Sequence, residues 1–116
     1  VHGQPLVQRV WACLRPLAAD RFVFVVRDED ARRFHLPDVL RLLDPGCGVV
    51  RAAGPTAGAA CTALLAVDHI EPDRELVITN GDQLFTCDLG AAVADFRARN
   101  LDAGTVVFDS VHPRWS

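Results

Sequence analysis

The sequence predicts an α/β protein in which helices flank a mostly parallel sheet. Runs of β-branched and aromatic residues recur along the chain, as in strands that are buried in a sheet. Segments with helical periodicity separate these runs, so that helix and strand alternate along its length. Because no linker or internal repeat interrupts this alternation, residues 1–116 are interpreted as a single domain.

The first half of the chain contains two of the predicted strands. A first helix begins at Pro5, where the missing N–H costs nothing. The run "RFVFVV", residues 21–26, is continuously apolar and predicts a strand that is buried on both faces. Asp28 is a candidate N-cap for the next helix, and Pro37 opens another short helix before the strand predicted at residues 48–53.

The second half repeats the same order of elements. Thr56 is a candidate cap for a helix that is rich in small residues. The run "ELVIT", residues 75–79, predicts a third strand, and Asp88 is expected to cap a helix that extends to about Asn100. The run "AGTVVFDS", residues 103–110, predicts the last strand.

Composition and charge exclude several classes of function. The net charge is -3 and no cluster of basic residues stands out, which argues against a nucleic-acid binder. No apolar run reaches the roughly 18 residues of a membrane span, so no membrane partner is expected. The four cysteines lack the spacing of a zinc site, and nothing indicates secretion. We therefore expect reduced thiols in a cytoplasmic protein.

The segment "GPTAGAA", residues 54–60, is a loop of small residues that leads into a helix. Free N–H groups and the positive end of a helix dipole would suit an anion or the polar edge of a base there, and small side chains would let a flat ring pack on the backbone. The alternative is a helix start that needs small residues only to pack closely on the sheet. The phosphate-binding signature G-x-x-x-x-G-K-[ST] is absent, and both interpretations stay open.

The segment "NGDQ", residues 80–83, follows the third predicted strand at once. Asn80 and Gly81 form a common turn pair, so a plain turn is one interpretation. Ligands of α/β sheets bind outside the carboxyl ends of the strands, however, and Gly81 would let a ligand come close to the backbone. Asp82 at that edge could hold Mg²⁺, which proteins bind with one or two carboxylates plus phosphates and waters.

Two motifs together resemble the sugar-phosphate nucleotidylyltransferases, a family with a GT-A-like Rossmann fold. They are "GPTAGAACTALLA" at residues 54–66 and "ITNGDQLF" at residues 78–85. The similarity spans nearly the whole chain, through "GQPLVQRVW", "RFVFVVRDED" and "DAGTVVFDSVHPRWS". The resemblance implies a Rossmann-like, GT-A-type sheet, mostly parallel and incomplete, with flanking helices.

The resemblance also implies roles for the matching residues. Thr56, Ala57 and Gly58 would touch the nucleotide base through backbone groups. Asp82 would bind Mg²⁺ that bridges the phosphates, and the two residues before it would lie beside the ribose. No side chain of the matched segments is assigned to a covalent step.

The implied reaction joins an NTP and a sugar-1-phosphate, or a similar phosphorylated alcohol, with release of pyrophosphate. One alternative is a non-catalytic nucleotide-binding or interaction module with the same fold. Another is a GT-A glycosyltransferase, a family that prefers an Asp-x-Asp pair. Leu84 stands where the second acid of that pair would follow Asp82, which counts against this alternative.

The chain also departs from the family. The family's first strand, its G-x-G-x-R loop and the lysine that follows have no counterpart, and the chain contains no lysine. The second metal-binding acid and the sugar-binding half are unmatched as well. We therefore expect an internal part of a nucleotidyltransferase that is inactive by itself.

In the family's sheet the first strand lies between the strands matched here by residues 22–26 and residues 76–79. Without it, two apolar strands would each expose unpaired backbone groups. Three arrangements would avoid this: the two strands pair directly, a second copy donates a strand within a homo-oligomer, or a longer protein supplies it.

Overall fold

The computed structural model describes residues 3–109, within which two strands form a parallel sheet. Strand β1 (Val23–Arg27) pairs with strand β2 (Gly48–Ala52), and their register aligns the first residues and the last residues of the two strands. Parallel strands need a crossover, which helices α2 (Asp28–Arg33) and α3 (Leu36–Leu43) supply. The α/β class and the parallel sheet that the alternation predicts are therefore confirmed.

The chain divides into two compact units, Val1–Leu84 and Phe85–Ser116, and the sheet belongs to the first. Apolar side chains from several elements of the first unit form its core, because each element turns one side toward the sheet. The buried residues are Val10, Leu14, Ala31, Leu40, Ala52 and Ala66. The interpretation of residues 1–116 as one domain stays a prediction.

Helix α1 (Leu6–Leu14) follows Pro5, which occupies its N-cap, and continues into a 3₁₀ turn. Its apolar face packs toward the sheet, and the ring of Trp11 lies 6.5 Å from the ring of Phe22, centroid to centroid. Phe22 in turn stacks on Phe24 at 6.4 Å. This aromatic row attaches α1 to the entry of β1.

Residues 75–79 and 103–109 do not form the strands predicted for them, and residue 110 of the last predicted strand lies outside the described residues. The side chains of Val77 and Ile78 are 54% and 67% exposed. A strand needs a neighbour that accepts and donates its backbone hydrogen bonds, and within residues 3–109 the sheet consists of β1 and β2. Apolar β-branched composition favours extended structure but does not supply that neighbour.

The same absence of a neighbour explains two further corrections. The side chains of residues 22–26 are half-buried, whereas the sequence predicts burial on both faces. Within the described residues β1 has a neighbouring strand on one edge only, so its other edge lacks that cover. Val23 pairs with Gly48 and not with Val77, so the direct pairing of the first and third predicted strands is wrong. Strand donation by a second copy, or by a longer protein, stays a prediction.

The second unit contains helix α5 (Leu89–Ala98), and both of its ends follow local rules. Oδ1 of Asp88 accepts a hydrogen bond from the backbone N–H of Ala91 at 3.0 Å, which confirms the predicted cap. At the other end Asn100 is left-handed, with φ +51°, and the N–H of Leu101 donates to the carbonyl of Phe96 at 3.1 Å. This pattern is a Schellman motif, which satisfies the last carbonyls of the helix.

Candidate functional site

The carboxyl ends of β1 and β2 open on a cavity of about 250 Å³. Ligands of parallel α/β sheets bind at this edge, because the loops that leave the strands diverge there. The loop after β2 forms part of the wall before the chain enters helix α4 (Ala59–Leu64). The lining residues are Val25, Val26, Arg27, Ala52, Gly54, Pro55, Thr56 and Thr62.

Two threonine hydroxyls close the loop between β2 and α4. Oγ1 of Thr56 lies 2.5 Å from Oγ1 of Thr62. Both hydroxyls also lie within hydrogen-bond distance of the carbonyl oxygen of Gly58, at 3.2 and 3.1 Å. Gly58 has φ +137°, a conformation that glycine adopts and that strains other residues. Side-chain hydrogen bonds and a glycine therefore hold this part of the cavity wall in shape.

The structure corrects the sequence-based interpretation of this loop. Thr56 is not the N-cap of α4, because the helix begins at Ala59 and Gly58 occupies the cap position. Of the residues expected to touch the base, Thr56 lines the cavity, whereas Ala57 and Gly58 are exposed and lie outside its lining. The hydroxyl of Thr56 contacts the hydroxyl of Thr62, which also lines the cavity.

Arg27, the last residue of β1, lines the cavity, and it is the one charged residue of this lining in the described part of the chain. Its Nε and Nη2 atoms each lie 2.7 Å from Oδ2 of Asp30 in α2. The hydrogen bond that Arg27 donates to Asp30, followed by the negative charge of the same carboxylate, raises the pKa of Arg27 above its usual value. Arg27 therefore stays a cation at any physiological pH, and its side chain is still 73% exposed.

Asp28 forms ion pairs with two neighbouring arginines, Arg51 and Arg32. It is the first residue of α2 rather than its N-cap, a position that Arg27 occupies. Nε of Arg51, in β2, donates to Oδ1 of Asp28 at 2.6 Å, and Nη2 of Arg32 lies 2.9 Å from Oδ2. One carboxylate thus connects the second strand to the first turn of α2, beside the cavity.

Sequence reasoning missed Arg27 and Thr62 as residues of this site. For Arg27 a signal was present, because it directly follows an apolar run whose carboxyl end is the expected ligand edge. Thr62 lies four residues after Gly58. At this spacing a threonine hydroxyl in the first turn of a helix can donate to the backbone carbonyl one turn earlier, here that of Gly58. That contact depends on where α4 begins, which the sequence placed too early.

The residues expected at the metal end of the site lie in an exposed turn. Gly81 and Asp82 form this turn directly after Asn80, and none of the three lines the cavity. Gly81 does not have a positive φ, and a Cβ at its position would meet nothing within 4 Å. Its backbone conformation therefore does not require glycine, and space for an incoming group is left beside it.

The side chains present restrict how a metal ion could be held. Among residues 3–109, no group of three or more His, Cys, Asp and Glu side chains could hold one. A cage made of protein ligands alone is thus excluded for that part of the chain. The single carboxylate of Asp82 fits the other arrangement, in which Mg²⁺ takes one carboxylate and completes its shell with phosphates and waters.

The cysteines carry free thiols, of which Cys61 and Cys87 are exposed and Cys13 and Cys47 are half-buried. Burial, assisted by the charge of Asp44, raises the pKa of the Cys47 thiol. In the described part of the chain, no helix has the length and apolar character that a membrane crossing requires.

Comparison with known proteins identifies one family. The model of the MobA-like NTP transferase domain matches residues 1–114, a range that includes β1, the cavity loop and Asp82. No curated protein and no solved structure matches the chain. The match confirms the resemblance to nucleotidyltransferases, and it covers nearly every residue. The chain therefore belongs to the family of MobA-like NTP transferase domains.

Proposed function

We propose that the chain is part of an enzyme that transfers a nucleotidyl group from an NTP to a sugar-1-phosphate, or a similar phosphorylated alcohol. The observation that carries the proposal is the family match over residues 1–114, which supports a nucleotidyltransferase function. The cavity at the carboxyl ends of β1 and β2 supports it further, since this edge suits part of a nucleotide. The free thiols fit a cytoplasmic location, which is part of the same proposal.

In the proposed reaction, an oxygen of the sugar-1-phosphate attacks the α-phosphorus of the NTP. The bond from that phosphorus to the bridging oxygen breaks, and pyrophosphate leaves with the electron pair. The protein forms no covalent bond, so its contribution is to orient the two substrates and to offset phosphate charge. Mg²⁺, when bound, would supply charge neutralisation at the phosphates.

The protein groups divide between the two ends of the nucleotide. Backbone groups of residues 56–58 would bind the base, with the hydroxyl contact between Thr56 and Thr62 holding the loop in place. Asn80 and Gly81 would lie beside the ribose, where Gly81 leaves room for the ligand. Asp82 would hold the ion through its carboxylate.

A second function, a nucleotide-binding module without catalysis, is favoured by the small number of acidic groups at the site. Asp82 is the one carboxylate among the residues proposed to bind the nucleotide and the ion, and residues 3–109 contain no group of three or more metal-binding side chains. Such a module would bind the NTP by the same cavity and loop but would not accelerate transfer. Binding and turnover therefore have to be measured separately.

The test is to incubate the purified chain with ATP, GTP, CTP or UTP, Mg²⁺ and a panel of sugar-1-phosphates, and to measure pyrophosphate release. Calorimetry on the same samples measures NTP binding. We expect binding without turnover from this chain, and turnover from a protein that joins it to a strand with a G-x-G-x-R loop. Failure to bind any of the NTPs would contradict the proposal, whereas binding by both proteins without turnover would favour the module.

A further inference from the structure

We propose that Arg27 sets the base preference of the cavity, favouring bases with a ring carbonyl over bases with an amino group at the same place. The favoured bases are guanine and uracil or thymine, and the disfavoured ones are adenine and cytosine. This inference rests on the proposed function, because it assumes that the cavity receives part of an NTP. It assigns the choice among substrates to Arg27, a residue to which the resemblance gives no role.

The size of the cavity favours a base over a whole nucleotide. Its volume is about 250 Å³, below the range of roughly 300–1,000 Å³ in which pockets enclose a complete drug-sized ligand. Most of its wall is apolar strand and small loop residues, against which a flat ring can pack. The phosphates would then extend out of the cavity.

Among the eight lining residues in the described part of the chain, Arg27 alone carries a formal charge. The two hydroxyls of the wall, on Thr56 and Thr62, already contact each other and the carbonyl of Gly58. Among these residues, we therefore assign to Arg27 the hydrogen bonds that distinguish one base edge from another. Its position at the end of β1 is held by the backbone pairing with β2, so it does not depend on a mobile loop.

The ion pair with Asp30 orients the guanidinium of Arg27 but does not use all of its N–H donors. Both contacts use Nε and Nη2 of Arg27 and the same oxygen, Oδ2, of Asp30. The two N–H groups of Nη1 lie outside this pair. A side chain that is anchored through one edge of its fork can present the other edge to a ligand with little loss of conformational entropy.

The chemistry of the guanidinium determines which bases it accepts. Arginine has five N–H donors and no acceptor, so it binds carbonyl oxygens and ring nitrogens but repels amino groups. Guanine presents O6 and N7, and thymine or uracil presents O4, whereas adenine and cytosine carry amino donors at the corresponding positions. A contact of this kind should give a preference of about fivefold or more, the lower end of measured base discrimination.

The experiment measures dissociation constants of the chain for GTP, UTP, ATP and CTP with Mg²⁺ by calorimetry. Two variants test the residue: Arg27→Gln, whose amide both donates and accepts, and Arg27→Lys, which keeps the charge without the fork. Arg32→Gln is the matched control, because Arg32 is 74% exposed, pairs with Asp28 of the same helix and does not line the cavity. Thermal unfolding of each protein checks that the fold is retained.

We expect the unchanged chain and Arg32→Gln to prefer GTP and UTP, and Arg27→Gln to lose that preference. Arg27→Lys should keep part of it, because lysine also donates hydrogen bonds without accepting any. Equal binding of the NTPs by the unchanged chain would overturn the inference and leave the proposed function standing. A preference that survives in Arg27→Gln, or that disappears in Arg32→Gln as well, would also overturn it. Absence of binding by the unchanged chain would overturn the proposed function and the inference together.

Discussion

The side chains of Arg51 and Asp28 connect the second strand of the sheet to the first turn of α2, with Nε of Arg51 2.6 Å from Oδ1 of Asp28. The pair spans two elements that are far apart in the chain, and Asp28 is only 26% exposed. Its other oxygen holds Arg32, 2.9 Å away. Because α2 begins at the edge that carries the cavity, this carboxylate orients the helix that also carries Asp30, the partner of Arg27.

Replacement of Asp28 should therefore destabilise the chain. We expect Asp28→Asn to lower the free energy of unfolding by about 1 kcal/mol, since two arginines lose a charged partner. Asp38→Asn is the control, because Asp38 is 76% exposed and contacts Arg41 of its own helix at 3.6 Å. Urea denaturation measures both, and equal effects of the two variants would contradict a special role for Asp28.

The two glycines of the candidate site should respond differently to alanine. Gly58→Ala places a side chain on a residue with φ +137°, so we expect a loss of about 1 kcal/mol or more and a weaker NTP affinity as the loop changes shape. Gly81→Ala should leave stability unchanged, because its Cβ meets nothing. If Gly81 lies beside the ribose, its variant should instead weaken NTP binding alone. Melting curves and calorimetry on both variants separate these effects.

Asp82→Asn tests the metal site that the resemblance implies. In an active protein containing this chain we expect turnover to fall to background while the melting curve stays unchanged, because Asp82 is exposed and supplies one ligand to Mg²⁺. Asp73→Asn, another exposed acid, is the control. A near-normal rate in the Asp82 variant would contradict the metal role.

Gly104→Ala should destabilise the second unit. A Cβ at this position would lie 2.7 Å from Cζ of Phe96, so the ring must move out of its packing against the chain that follows α5. We expect a cost of about 1–3 kcal/mol, typical of overpacking. Gly46→Ala is the comparison, since a Cβ there would meet only a carboxylate oxygen of Asp44 at an ordinary 3.6 Å. Hydrogen exchange of α5 amides reports the difference, and equal protection in both variants would argue against the close packing.

We expect Cys47 to be alkylated more slowly than the exposed cysteines Cys61 and Cys87. Burial and the charge of Asp44 raise the pKa of Cys47, so that less of the reactive thiolate forms on it, and the reagent also reaches it less easily than it reaches the exposed Cys61 and Cys87. Folding favours the protonated thiol; the associated stability is therefore present below the unfolded pKa of about 8.5 and is lost as pH rises through the folded value. Mass spectrometry after iodoacetamide pulses measures the order, and a Cys47 that reacts as fast as Cys61 would contradict it.

Local sequence was enough to predict the parts of the fold that depend on short-range contacts. The cap at Asp88 needs only a carboxylate three residues before a free N–H, and the confirmed hydrogen bond to Ala91 spans that distance. The crossover between β1 and β2 likewise follows from two apolar runs separated by helical periodicity. The family resemblance also rests on local motifs, "GPTAGAA" and "NGDQ".

Tertiary structure decided the features that need a partner distant in sequence. The run at residues 75–79 has strand composition, yet Val77 and Ile78 stay exposed because composition cannot provide the neighbouring edge that completes backbone hydrogen bonds. The cavity likewise brings Arg27, from the end of one strand, to Thr56 and Thr62, from a loop and a helix beyond the next. Periodicity describes one element at a time, whereas a binding site depends on the packing of several, and that packing is a property of the folded chain.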